Sequence, residues 1–183
     1  MKSISSDILN FHCPRWNELP EIDLYMDQVV SILEKNCSLF TENEGEKIIT
    51  ATMINNYVKH KIIAPPVKRR YNQTHLAYLF VVCIMKRILS ISEIGDLISY
   101  LINVYSIEDA YDLFCEELEF AIKIVFAPNQ KVNPIIAETT HQLALLEAVV
   151  LAFANKLYFQ NEIKKLAIDS TEAKKITVIK TEN

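Results

Sequence analysis

Between Thr50 and Leu101 the apolar positions recur at helical intervals, interrupted by turn signals, and predict three helices. In the first, from Thr50 to Lys61, Ile54, Tyr57 and Val58 share one side, leaving Thr52, Asn55, Asn56 and Lys59 on the other. Thr50 is its expected N-cap, because the hydroxyl can accept from an early backbone N–H. Ile62 and Ile63 close it against a core. Pro65 and Pro66 then force an extended turn, and Val67 to Tyr71 reads as a short strand or ribbon. Asn72 caps the second helix, in which Leu76, Leu79, Val82, Met85 and Ile88 fall three apart with Phe80 and Ile84 beside them, the pattern of a core helix. Ser90-Ile91-Ser92-Glu93 is a capping box opening the third, whose apolar face is Ile94, Leu97, Ile98 and Leu101.

The flanks follow the same rules. Met1 to Asn10 reads as a loose or weakly helical lead-in. Pro14 and Pro20 bracket a strap offering Phe11, Trp16 and Leu19 for packing. Glu21 to Cys37 reads as a helix and Thr41 to Gly45 as a polar loop. Ser106 opens a helix with an apolar side from Ala110 to Val125, stopped at Ala127-Pro128-Asn129. A long helix over about Ile135–Leu166 follows, apolar on more than one side at Leu143, Leu146, Val149, Val150, Phe153, Ala154 and Leu157. Such a helix is either buried within a bundle or shared with a second chain. The alternation Ile176-Thr177-Val178 reads as a short strand or a disordered tail. The expected segments are a strap (1–20), a central domain (21–106) and a C-terminal helical region (107–183).

Composition sharpens this to an all-α chain, since two glycines among 183 residues leave little for the tight turns of a β fold. Charge adds an asymmetry. No Asp or Glu occurs between Glu46 and Glu93, whereas Lys47, Lys59, Lys61, Lys68, Arg69, Arg70, Lys86 and Arg87 do. These eight leave eleven basic residues to share the rest of the chain with all 23 acids, so the remainder carries −12 against +8 here. An acid-free basic island suits a polyanion partner. A solvated charge run is the plainer reading of each piece alone. Four dispersed cysteines, Cys13, Cys37, Cys83 and Cys115, lack metal or disulfide spacing, so reduced thiols, a cytoplasmic location and no metal or other cofactor are expected. Leu143 to Phe159 carries Glu147, Asn155 and Lys156 and reads as a buried helix, without a membrane partner. Glu116, Glu117 and Glu119 read as a solvated face. No nucleophile–base spacing, phosphate loop or zinc motif appears, so an enzyme is not expected.

The run Ile54/Tyr57, Ile62-Ile63, Pro65, Arg69/Tyr71, Leu76/Leu79/Val82 and Ser90/Glu93/Ile94 resembles the winged helix-turn-helix of MerR-type transcription regulators. CPRWNELPEIDLYMDQV, from Cys13, and YDLFCEELE, from Tyr111, resemble a bacterial family known as domain of unknown function number 1836. The MerR resemblance implies a recognition helix over Thr50–Lys61, a wing over Pro66–Tyr71 and a C-terminal helical dimerisation region. It departs from the MerR pattern at Lys61, where that pattern has Gly, and at Thr52 and Asn55, where it often has Arg. A Lys at 61 must enter the left-handed region, or the turn must differ. The resulting expectation is a homodimeric regulator binding double-stranded DNA. Thr52, Asn55 and Asn56 would read bases and Lys59, Lys61, Lys68, Arg69 and Arg70 would hold phosphates. Tyr57 and Tyr71 complete the candidate set. The alternative is a protein-interaction module that keeps the helix-turn-helix core without sequence-specific DNA binding.

Overall fold

The computed structural model describes residues 4–41, 45–127 and 140–181, with side-chain environments for 7–41, 45–127 and 140–167. The chain is mostly helical: α1 (Ile4–Leu9), α2 (Met26–Cys37), α3 (Ala51–Lys59), α4 (Gln73–Met85), α5 (Ile91–Ile102), α6 (Ile107–Phe126) and α7 (His141–Thr181). Among the described residues, β pairing is limited to isolated antiparallel bridges, Leu24 with Tyr71 and Val67 with Arg70.

The local start signals work as the side-chain chemistry requires. Thr50, Asn72, Ser90 and Ser106 each accept from the backbone N–H three residues on, at Met53, His75, Glu93 and Asp109. Helix α4 is the central one, with ten of its 13 residues buried. It packs between α2 and α6, and α6 in turn packs along α7. A single apolar cluster runs from Ile8 to Ala154 and crosses the expected boundary at Ser106.

Three expectations are corrected. The helix expected from Glu21 starts at Met26, because Leu24 is extended and exchanges two 2.8 Å backbone hydrogen bonds with Tyr71. The tail at Ile176–Val178 is helical, a continuation of α7. And α7 is buried along one side only: Leu143, Leu146, Val150 and Phe153 are covered, whereas Phe159 is 64 % and Leu166 63 % exposed. By length and composition alone, residues 141–167 are sufficient to cross a membrane, a test that core helices also pass. The helix start expected near Ile135 and the stop signals Pro128 and Asn129 lie outside the described residues.

The strap is fastened to α6. Arg15 makes a two-pronged contact with Glu119, Nη1 to Oε1 at 2.8 Å and Nη2 to Oε2 at 3.0 Å. Cys13 N–H also donates to Glu119, Trp16 N–H donates to Asp112, and the Tyr111 hydroxyl donates to the Pro14 carbonyl. His12 bridges Glu18 and Glu119. Glu119, expected on a solvated face, is therefore a partner of the strap instead. Burial alone would push the Glu119 carboxyl up, but Arg15 and the Cys13 N–H together hold it below the usual range. Glu117 is only 4 % exposed, and burial, reinforced by Glu147 and Glu116, pushes its carboxyl up. An acid shifted upward stabilises the fold below its unfolded pKa, and that contribution is lost as pH rises through the folded value. Glu117→Gln is therefore expected to leave stability unchanged or raised at pH 7.5 while losing any advantage near pH 4. Urea unfolding at both values checks this.

All four thiols are buried and free, with Cys13 and Cys115 sulfurs 3.2 Å apart. Burial holds the Cys83 thiol up at about 12 and raises those of Cys37 and Cys115 as well. Among the described residues no His/Cys/Asp/Glu group is arranged to hold a metal ion.

Candidate nucleic-acid interface

Helix α3 buries Ile54 and Tyr57, and Thr52, Asn55, Asn56 and Lys59 are exposed. At 3.6 residues per turn these four fall within an arc of about 100° on the side opposite Ile54. The face carries amide, hydroxyl and ammonium groups and no acid. Tyr57 is not part of it: the ring is 6 % exposed, and burial pushes its hydroxyl up to about 12. Tyr71 is likewise corrected to a core residue, 3 % exposed and fixed by its bridge to Leu24. Tyr57 satisfies the apolar period of its helix, which is why it lies inward, whereas Tyr71 is drawn inward by pairing with Leu24, a partner outside its own segment.

The end of α3 is a Schellman motif. Ile62 N–H reaches the Tyr57 carbonyl and Lys61 N–H the Val58 carbonyl, both at 3.0 Å. Lys61 occupies the left-handed position of this motif with φ of 60°. The pattern normally takes Gly here, so a side chain at this position carries strain of about 1–2 kcal/mol. After Pro65 and Pro66 the chain makes a two-residue hairpin loop, closed by Arg70 N–H to the Val67 carbonyl at 2.9 Å. Lys68 and Arg69 form its tip with φ of 49° and 63°, the type I′ signature that favours Asn-Gly. Among the described residues, every non-glycine residue with positive φ is therefore a cation of the acid-free island.

The expected cations do not all reach the surface in the same way. Lys59, Lys61, Lys68, Arg69 and Arg70 are exposed. Arg70 is held against the chain, its guanidinium 4.2 Å above the Tyr25 ring and Nη2 donating to the Tyr25 hydroxyl at 2.7 Å. Lys86 and Arg87 are internal struts. Lys86 Nζ donates to the Ile48 carbonyl and approaches Met53 Sδ at 3.6 Å, and burial lowers its pKa. The Arg87 side chain is 7 % exposed and lies 3.8 Å from Glu46. The sequence count of eight thus leaves six exposed cations, the five above and Lys47.

Sequence reasoning also missed His75. The residue caps α4: Asn72 N–H lies 3.1 Å from its Nδ1 and the Asn72 side-chain oxygen also meets that nitrogen, so Asn72 engages Nδ1 in either ring tautomer. Yet the residue is buried, and Nε2 has no hydrogen-bond partner. Its place at the third position of a capped helix was legible. Its burial, which depends on Tyr71 packing edge-on at 5.6 Å, was not.

These features define a mostly helical protein with a polar helix face followed in the chain by a cationic hairpin. The chain belongs to the family described as Domain of unknown function (DUF1836), whose sequence model matches residues 14–114, from the strap into α6. No curated protein and no solved structure matches the chain significantly.

Proposed function

We propose that this protein is a DNA-binding transcription regulator with a MerR-like winged helix-turn-helix. In this reading α3 is the recognition helix, and the Val67–Arg70 hairpin is the wing. The observation that carries it is the placing of cations at strained backbone positions. Lys61, Lys68 and Arg69 each hold φ near +50 to +60°, where Gly or Asn would be more stable. Strain of that kind, repeated three times with one charge type, favours a functional demand for the charge. Asn55 and Asn56 have the two-atom hydrogen-bonding edge that matches adenine in the major groove, and Lys59, Lys68 and Arg69 suit phosphates.

Selection from random duplex DNA, followed by fluorescence anisotropy, tests this reading. A recurring sequence is expected, and Asn55→Ala should relax preference at one base position by about 1–3 kcal/mol. Absence of binding at low salt would refute it.

The reading includes a homodimer through α7, which would present two recognition helices to two half-sites. Leu151, Tyr158, Phe159, Ile163 and Leu166 are exposed along that helix, and they favour a partner surface. Light scattering should give twice the 21.1 kDa chain mass, and Phe159→Glu with Leu166→Glu should return it to the monomer value.

A second reading, a protein-interaction module without sequence-specific DNA binding, draws support from Arg70 being engaged by Tyr25 and from Lys86 and Arg87 being internal. It predicts that the hairpin cations are dispensable for partner binding.

A further inference from the structure

The turn that follows α3 has a second side, away from the hairpin. There, residues 60–64, the first half of α4, one side of α5 and Ile107 enclose a groove of about 940 Å³. That volume lies at the upper end of the roughly 300–1,000 Å³ typical of small-molecule sites. The groove exists partly because α5 carries Gly95 where the turn approaches. A Cβ at that position would stand 2.8 Å from Ile62 Cδ1.

The lining has two chemistries. Ile62, Ile98, Ile102 and Ile107 give it an apolar wall, and the last three also border a narrow crevice running between α4, α5 and α6. The polar side holds His60, Lys61, Thr74, Ser92, Ser99 and Asp96. With one permanent cation and one carboxylate in the lining, a multiply charged anion such as a nucleotide is poorly matched, whereas a single carboxylate beside Lys61 is well matched. His75 also lines the groove, is 7 % exposed, and keeps an unpartnered Nε2. Buried polar atoms in native folds are nearly always paired, so an orphaned ring nitrogen in the wall of a groove calls for a polar partner brought from outside, and a ring with a proton on Nε2 would donate to a carboxylate.

We propose that this groove binds a small monocarboxylate with an apolar body. The carboxylate lies toward Lys61 and His75, and the body lies along Ile62, Ile98 and Ile102. The site does not depend on the DNA-binding reading. If that reading also holds, an occupant braces the turn joining the recognition helix to the wing, and ligand and DNA affinities become linked.

The test is a titration of the full ¹⁵N-labelled chain, free of DNA, with decanoate, using decanol and decylamine as matched controls. Amide spectra and long-range histidine ring spectra are recorded. Saturable shifts confined to groove residues, including His75 Nε2, are expected, with decanoate about tenfold or more tighter than either control. Ser99→Trp, which fills the groove from an exposed position on α5, should abolish binding while leaving the remaining spectrum intact. Ser92→Trp serves the same purpose at the other end of the groove if the first variant does not fold. Three outcomes overturn the proposal: no saturable shift up to the solubility limit, equal affinity for all three compounds, or shifts gathered instead along the exposed side of α7. DNA binding is measured separately by anisotropy, so loss of one activity is distinguishable from loss of the other.

Discussion

Arg15→Ala is expected to destabilise the protein by about 3 kcal/mol, a cost typical of removing one partner from a largely buried ion pair. Arg15 and Glu119 side chains are 22 % and 12 % exposed, so water does not replace the lost guanidinium efficiently. The Cys13 N–H would remain as a donor to Glu119, but the two-pronged charge partner would be gone. The loss should depend on pH in a defined direction. Because the folded Glu119 carboxyl lies below its ordinary value, its stabilisation is fully present above the unfolded pKa and is lost as pH falls through the folded one. Wild-type and Arg15→Ala unfolding curves should therefore differ most near neutrality and converge in acid. Arg15→Lys should recover only part of the loss, since an ammonium cannot reproduce the fork. Equal stabilities at pH 7.5 would mean that the strap is held by its apolar contacts alone.

The hairpin tip gives the second large effect. Lys68→Asn with Arg69→Gly restores the residues that a type I′ loop prefers, and should stabilise the fold by about 1 kcal/mol. The same change should weaken DNA binding about 10- to 100-fold at low salt and reduce the log–log salt slope by about two, one for each lost phosphate contact. Stability and affinity moving in opposite directions is the signature of charges kept against local backbone preference. A variant that gains stability and binds DNA with an unchanged salt slope would remove the hairpin from the interface.

The helix starts were legible because they are local. A hydroxyl or amide at Thr50, Asn72, Ser90 or Ser106 needs only the N–H three residues on, and the sequence holds both partners. The left-handed Lys61 was one of two outcomes that the MerR resemblance left open, the other being a different turn, and the hydrogen bonds of Lys61 and Ile62 select it. What depended on distant partners was not legible. Leu24 left its expected helix to pair with Tyr71, and no spacing within residues 21–37 encodes that. Lys86 and Arg87 counted as surface charge until Ile48 and Glu46 arrived beside them from more than 35 residues away. Glu119 carried no sequence mark of its partnership with Arg15, a contact 104 residues apart. The polar face of α3 was readable from helical period alone. The inward turn of Tyr57 was readable, since it already fitted the apolar period of its helix, whereas that of Tyr71 came from Leu24.

The continuity of the apolar cluster has a consequence for how this chain comes apart. Phe40, before α3, meets Phe153 of α7 at 5.3 Å, Phe80 of α4 meets Tyr111 of α6 at 6.4 Å, and Lys156 Nζ holds the Arg87 carbonyl at 2.7 Å. With its hydrophobic interior shared in this way between α7 and the segments before α3, the chain is expected to melt as one cooperative unit rather than as a stable head on a separable stalk. A fragment ending at Ser106 would strip α4 of the cover that α6 gives it and expose Phe80 to water, so the polar helix and its hairpin are expected to lose stability when expressed apart from the segments behind them.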